Sequence, residues 1–485
     1  MNSFILKNKA IFSLLLGFCI SSLFKKNNLY NGTYFIAIFS ISPLIYIVKN
    51  SKNLKSAALY GWLFGFGYFM SVTWMANALL VYDEFKYLFP FVVLIGPTFL
   101  GLIFALNCLC YKFITKYNFI ENKLSPTTSF AIIWTTFEFV RMFLFTGLPW
   151  NLLAHSISFS TPLMQFASIF GELGLSFLLC KIGGAFYFLL NSENKKFAKE
   201  LFVSLLIISS LYIFGQKRLE NNKTVFLDKT VKIIQPCLEQ IEKWDTNYLK
   251  NTIDKNINLS ALNEGKNDEN PDFIIWPEAA VPTYYEYVKD YLIYHNFLNN
   301  SILLTGGISS EGDKIYSSFY AINKLGEVEF EYFKSHLVPF GEYMPLEGII
   351  PFDKISPGKG GYSKGKGNQI YEIRGIKIKP LICYEAIFSI ENVTKNTKAE
   401  VIINITNDAW YGDSDGPHQH FNIVRFRAIE NGLPVLRSAN NGISSVIDSV
   451  GRVVEYKNLN EVGYIYSRIP AKLNKETIYS KLFFR

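Results

Sequence analysis

Charge is what the first half of this chain lacks. Between residues 56 and 110 only Asp83, Glu84 and Lys86 are charged, which excludes an ordinary solvated surface for that stretch. Histidine is scarce as well, at 5 of 485 residues. None of the five falls near a plausible nucleophile and no Gly-x-Ser-x-Gly elbow occurs, so Ser-His-Asp hydrolysis has no candidate. The 6 cysteines are too scattered for a disulfide framework. Cys19, Cys108, Cys110 and Cys180 sit in apolar runs, where cysteine is a small hydrophobe. Cys237 and Cys383 are the two in the polar half, and a bond between them stays open. The Gly- and Lys-rich segment Pro357–Gly367 lacks the P-loop pattern and reads as a mobile loop.

What is abundant is apolar and aromatic. Aromatics make up 16% of the chain, with 43 Phe. Apolar runs fall at about 10–24, 32–48, 57–82, 88–111, 128–146, 162–190 and 200–215. Most approach the length that crosses ~30 Å of hydrocarbon as a helix, which predicts seven spans. No small-residue cleavage site follows Phe24, so the first run is not a removed signal peptide. The net charge of +8 sits largely in short segments between apolar runs. There it reads as topology information and contact with anionic lipid, and no nucleic-acid partner is expected. With a cytoplasmic start the inner side gets Lys7, Lys9, Lys49, Lys52, Lys55, Lys112, Lys116, Lys123, Lys195, Lys196 and Lys199. The outer side gets only Lys25, Lys26, Lys86 and Arg141. This bias puts everything beyond residue 217 on the outer face.

From about residue 224 the pattern changes to short β-rich runs separated by turns. Strands are expected at Val231–Pro236, Phe273–Trp276, Ile302–Thr305, Ser317–Asn323, Ile376–Cys383, Val401–Thr406, Leu433–Ser438 and Ser444–Asp448. Helices are expected at Asp245–Leu262 and around Asn422–Glu430. The alternation implies an α/β layered domain. The organisation is thus a membrane domain over 1–216, a catalytic domain over 217–470 and a tail over 471–485.

Three motifs end on reactive side chains. Phe273-Ile-Ile-Trp-Pro-Glu278 runs an apolar strand into a carboxylate, although a surface glutamate in a turn is the blander reading. Lys334 and Glu342 bracket an apolar turn, where a solvated lysine is the bland reading. Ile376–Ile382 delivers Cys383-Tyr384-Glu385. A cysteine at the exit of a buried strand is usually packing, but the acid that follows points to an exposed thiol. Chemically the three fit together. A lysine cation favours the thiolate, a carboxylate takes the thiol proton, and the lysine with a backbone N–H near Tyr384 stabilises an oxyanion. That is acyl transfer through a thioester.

Two other constellations carry less. Glu138 and Arg141 share a helical face in an apolar run, where charges are costly unless paired or wet, so a functional reading is the default. His418-Gln-His420 reads as a polar loop, since no third ligand stands near, and Asp408 and Asp413 fit no calcium loop. Neither a metal nor an organic cofactor is expected.

The ordered set Trp276-Pro-Glu278, Lys334 in Lys-x-His-Leu-Val-Pro-Phe-Gly-Glu342, and Cys383-Tyr-Glu385 resembles the nitrilase superfamily. Together with the upstream spans it resembles the apolipoprotein N-acyltransferase family, over nearly the whole chain. Further pieces are Thr146-Gly-Leu-Pro-Trp150, Ile234-Gln-Pro236 with Lys243-Trp-Asp245, Asn404–Gly412, Arg427–Asn431 and Ala439-Asn-Asn-Gly442. The resemblance implies a nitrilase-like αββα sandwich behind a polytopic helical membrane domain. Carried onto these positions, it implies Glu278 as general base, Lys334 as transition-state stabiliser and Cys383 as acylated nucleophile. Glu342 would be an extra active-site carboxylate, and Trp244, Tyr384 and Glu385 would shape the pocket. Trp150 would be either an interfacial anchor or a direct participant.

The resemblance further implies a ping-pong reaction from a membrane phospholipid to an apolipoprotein, in a bacterial inner membrane with the catalytic domain periplasmic. A membrane-tethered amidase with the same triad is the enzymatic alternative. A transporter is disfavoured, because only Glu138, Arg141, Glu172 and Lys181 are charged in or beside the apolar runs. Residues 471–485 offer no eighth apolar helix, where the family usually has one. Apolar loop residues such as Phe340, Tyr343, Met344 and Ile349–Phe352 are then expected to dip into the lipid interface.

Overall fold

The computed structural model describes residues 8–117, 124–241, 246–263, 270–345, 354, 361–393 and 399–483. Two compact units separate: Met1–Asn77 with Glu84–Asn221, and Ala78–Asp83 with Asn222–Arg485.

The first unit is helical: α1 (Lys9–Ser21), α2 (Ile41–Lys49), α3 (Leu54–Phe69), α4 (Phe89–Lys116), α5 (Pro126–Arg141), α6 (Ala167–Gly183) and α7 (Asn194–Asn221). Of the seven apolar runs, four become helical stretches long and apolar enough to cross a membrane: Leu54–Leu80, Asp83–Lys116, Ala167–Leu190 and Asn194–Asn221. The other three fold shorter. Lys9–Phe24 and Phe35–Lys49 are shorter apolar helices, and the run at 128–146 stops as a helix at Arg141, where a non-helical segment takes over. On α4, Phe91, Leu94, Ile95, Phe99, Leu102 and Leu106 are all exposed, a continuous apolar face that suits lipid rather than water.

That non-helical segment is the core of the unit. Residues 149–158 are all buried, although they form only a short 3₁₀ turn, Leu153–Ile157. Their main-chain groups are met by side chains. Arg141 donates to the carbonyls of Leu148 (3.0 Å) and Trp150 (2.7 Å), and Tyr68 donates to that of Asn151 at 2.6 Å. Glu138 Oε1 accepts from Leu153 N–H at 2.8 Å and Ser176 Oγ from Ala154 N–H at 3.0 Å. Irregular backbone in an apolar setting survives only when protein satisfies it in this way.

The second unit holds two six-stranded sheets. The first contains β1 (Phe226–Gln235), β2 (Phe273–Ile275), β3 (Ile302–Glu311), β4 (Lys314–Ile322), β5 (Val328–Phe333) and β12 (Gly463–Pro470), ordered β12-β1-β2-β3-β4-β5. The second contains β6 (Tyr371–Ile373), β7 (Ile376–Ile382), β8 (Val401–Thr406), β9 (Val435–Ala439), β10 (Ser444–Ile447) and β11 (Val453–Lys457), ordered β11-β10-β9-β8-β7-β6. Each has a parallel centre, β1-β2-β3 and β7-β8-β9, flanked by antiparallel strands.

Ile233, Ile275 and Leu304 of one sheet join Ile378, Ile403 and Leu436 of the other in one buried core. Helix α8 (Leu249–Ala261) covers the outer face of the first sheet through Ile253 and Ile257. Helix α9 (Gly416–Asn431) covers the second through Phe421, Val424 and Ala428. The result is the expected αββα sandwich. The tail packs onto it: helix α10 (Ile478–Phe483) buries Tyr479, whose hydroxyl meets Ser389.

Candidate active site

Glu278, Lys334 and Cys383 all follow the C-terminal ends of strands, where an α/β sheet leaves its ligands room. Glu278 lies three residues past β2. For that turn to tuck against the sheet, β3 must carry glycine: a Cβ on Gly306 would stand 2.5 Å from Ala279 N and 2.8 Å from Glu278 Cα. Lys334 immediately follows β5, its N–H held by the Ser317 carbonyl at 2.9 Å. Cys383 opens a 3₁₀ turn after β7 in a left-handed conformation, φ 49°. That conformation costs a side-chain-bearing residue about 1 kcal/mol or more, so the surroundings must enforce it.

The geometry overturns the blander readings. Lys334 is not solvated: it is 1% exposed, and its Nζ lies 3.0 Å from Glu278 Oε1 and 2.7 Å from Glu342 Oε1. Glu278 is buried, not a surface turn residue. Glu342 is braced in turn, its Oε2 accepting from Val338 N–H at 2.8 Å. The thiol is also not exposed, contrary to expectation, because the turn folds Cys383 back into the core between the sheets.

Electrostatics follow from this enclosure. Burial works against the Lys334 ammonium, but Glu278, Glu342 and Cys383 outweigh it and hold its pKa well above the usual lysine value. Burial raises Glu342, Lys334 opposes, and Glu278 raises it further. For Cys383, burial and then Glu278 push the thiol far up, and Lys334 only partly offsets them. The lysine favours the thiolate as expected, yet it does not win. Cys383 therefore rests as a thiol rather than a thiolate.

Glu385 is a clasp between the two reactive segments. Its Oε1 accepts from Ser335 N–H, Ser335 Oγ and Tyr332 Oη, each at 2.7 Å, while its Oε2 accepts from Ile382 N–H at 2.7 Å. One carboxylate thus ties the residue after Lys334 to the residue before Cys383. Tyr384 is buried, with its ring 5.3 Å from that of Phe388. Trp244 lies outside the described residues, as do Ile349–Phe352, whereas Phe340 is exposed. Trp150 belongs to the helical unit. It is fully buried there against Trp74, ring centroids 5.0 Å apart, so it is not an anchor presented to headgroups.

Three further expectations change. Cys237 and Cys383 are both free. His418 and His420 are not on a loop: both are buried on α9, and His420 Nδ1 meets Asp408 Oδ1 at 2.9 Å. No metal-binding cluster occurs among the described residues. Residues 361–367 of the supposed mobile loop are pinned along the site, with Tyr362 N–H on the Glu342 carbonyl (2.9 Å) and Gly365 N–H on that of Lys334 (2.8 Å). A Cβ on Gly365 would stand 2.2 Å from Phe333 O, so only glycine fits.

Two family descriptions match along the chain. Residues 16–185 match the family described as the apolipoprotein N-acyltransferase N-terminal domain, and residues 233–479 match the carbon-nitrogen hydrolase family. The apolipoprotein N-acyltransferase of Rickettsia typhi is 45% identical over 93% of this chain and 90% of its own length. The chain belongs to the apolipoprotein N-acyltransferase family. The member from Rickettsia prowazekii is 44% identical over 92% of this chain and 90% of its own length. That from Allorhizobium ampelinum is 34% identical over 89% and 85%. Family membership places the enzyme class as an N-acyltransferase.

Proposed function

We propose that this protein takes an acyl chain from a membrane phospholipid onto Cys383. It then passes the chain to the α-amino group of the N-terminal diacylglyceryl-cysteine of an apolipoprotein. The observation that carries this reading is the Lys334 ammonium held between Glu278 and Glu342, within electrostatic reach of the Cys383 thiol. As the sulfur attacks the ester carbonyl, Glu278 takes the thiol proton and Lys334 offsets the oxyanion. The C–O bond then breaks and Glu278 returns the proton to the leaving oxygen, releasing a lysophospholipid. In the second half the amine attacks the thioester, the C–S bond breaks, and an amine proton travels through Glu278 back to the sulfur.

Glu342 braces Lys334, and Glu385 and Tyr384 form the nucleophile turn. Trp150 acts as a packing centre of the helical unit. The protein lies in a bacterial inner membrane with residues 217–470 forming the periplasmic catalytic domain, and the exposed Phe340 meets lipid. Substrates confined to that membrane turn a three-dimensional search into positioning.

The test is intact-mass analysis after incubation with phospholipid vesicles. An acyl-sized mass gain that is lost in Cys383→Ser is expected, and an unmodified Cys383 would overturn the reading. The carbon-nitrogen hydrolase match over 233–479 favours one rival, a membrane-tethered amidase. That rival predicts release of ammonia or an amine from small amides and no acyl gain from phospholipid.

A further inference from the structure

Behind the nucleophile lies a cluster of buried polar groups that the reaction above leaves unused. Thr406, Asp408, His420 and Arg437 are each 0% exposed. Asp408 is its hub. Arg437 Nη2 donates to Asp408 Oδ2 at 2.6 Å, His420 Nδ1 meets Asp408 Oδ1 at 2.9 Å, and Thr406 Oγ1 donates to the same Oδ1 at 3.1 Å. Arg437 also donates to the Ile443 carbonyl at 3.2 Å and to Asn404 Oδ1. Burial would raise the Asp408 pKa, but Arg437 and His420 outweigh it and keep the carboxyl below its usual range.

Strand register carries this cluster to the reacting atom. Strands β7 and β8 are parallel, with Ile382 opposite Ile405. The next residues on the two strands are Cys383 and Thr406, so the nucleophile and the hydroxyl leave the sheet as neighbours at the interstrand spacing of about 4.8 Å. The thiol is faced by Glu278, Lys334 and Asp408, by the Thr406 hydroxyl, and by the Tyr411 phenol. Two of those groups are carboxylates, which makes a thiolate expensive there, and Lys334 is shared with Glu342.

Thr406 has a single hydroxyl proton and two acceptors within its reach. In the thiol state Asp408 receives it. If that proton turns toward sulfur, Asp408 still keeps Arg437 and His420, so no buried carboxylate is left bare. We propose that Thr406 is a catalytic residue of the acyl transfer: its hydroxyl turns from Asp408 to the Cys383 sulfur whenever the thiolate forms, and back when the thioester or thiol is restored. No bond to that proton breaks; it stays on the Thr406 oxygen and changes only its acceptor. The cysteine proton goes to Glu278 as before. Asp408, His420 and Arg437 are positioning residues, which hold Thr406 beside the sulfur and supply the alternative acceptor. This inference rests on the reading of Cys383 as the nucleophile.

The test uses full-length protein in detergent micelles and the pH dependence of Cys383 alkylation by iodoacetamide, followed by intact mass. Thr406→Val keeps the shape and removes the donor. Its alkylation midpoint is expected to move up by about one pH unit, with a roughly tenfold slower reaction at a fixed pH below the midpoint. Thr406→Ser restores a hydroxyl and is expected to restore the midpoint. Thr406→Ala repeats the measurement should the valine variant fail to fold. A midpoint unchanged in the valine or alanine variant, or a serine variant shifted as far as valine, overturns the proposal. Alkylation needs no phospholipid. A parent protein that takes no acyl chain from phosphatidylethanolamine vesicles would therefore sink the proposed function while the Thr406 measurement still reads out.

Discussion

The helical unit and the α/β unit both bury charged groups, and they use them in opposite ways. In the helical unit Glu138 and Arg141 spend their hydrogen bonds chiefly on main chain, at Leu153, Leu148 and Trp150, with Trp134 Nε1 also donating to Glu138. His155 divides its bonds between main chain and a carboxylate. Its Nδ1 accepts from Leu152 N–H at 3.1 Å, which leaves its proton on Nε2 for Glu172 at 3.0 Å. In the α/β unit Lys334, Glu278 and Glu342 spend theirs chiefly on one another. A buried charge that serves the backbone is scaffold. One that is held by other charges beside a thiol is available to respond when a proton moves.

The same isosteric change should therefore give opposite results in the two units. Glu278→Gln keeps the shape but cannot take a proton, and acyl-thioester formation is expected to fall below detection by intact mass. Glu138→Gln keeps an amide oxygen for Leu153 N–H and Trp134 Nε1, so activity and melting temperature should stay near the parent's. Equal loss in both variants would erase the contrast. Next in size is Lys334→Ala. Removing an oxyanion-stabilising group typically costs about 3 kcal/mol, roughly a hundred- to thousandfold in rate. Lys334→Arg should not rescue it in single-turnover acylation, because the forked guanidinium cannot fit between Glu278 and Glu342.

A smaller effect separates scaffold from chemistry within the helical unit. Glu138→Ala leaves the Leu153 and Trp134 donors unmet and should cost about 2–4 kcal/mol, seen as a lower thermal midpoint in detergent with little change in rate per folded molecule. The smallest concerns Lys379 on β7. It is buried and pushed down to about 7 by desolvation, against the pull of Glu385 and Glu391, with its Nζ on Asn368 Oδ1 at 3.0 Å. A buried lysine of depressed pKa folds best neutral. Its cost is full below that value and fades as pH rises from about 7 toward the ordinary lysine value. The melting temperature of the parent should accordingly gain on that of Lys379→Met between about pH 6 and about pH 9. Parallel curves would show that Lys379 stays charged.

Much of this was legible in the sequence. Val401–Thr406 reads as a strand and is one, residue for residue, because it is apolar and β-branched and is buried on both faces. Strands β5, β6, β11 and β12 were not legible. Val328–Phe333 alternates glutamate with apolar residues as an edge strand does, and it runs straight into a motif read for its chemistry. Glu278 and Cys383 announced themselves by falling where legible strands end, and Lys334 by bracketing an apolar turn with Glu342. The Thr406–Asp408–His420–Arg437 cluster did not, because its members come from β8, the turn after it, α9 and β9, and meet only in the folded chain. A signal existed even so: arginine inside a buried strand, at Arg437, requires a carboxylate somewhere.

The Glu385 clasp has a mechanical consequence. The two oxygens of a carboxylate keep a fixed spacing set by their shared carbon, and here each oxygen grips a different sheet. The segment after β5 hangs from one and the end of β7 from the other. When warming swells the core between the sheets, the ends that carry Lys334 and Cys383 have to travel together. Slack should open instead toward the far edge of the sandwich, leaving the reactive pair in register until the clasp itself lets go.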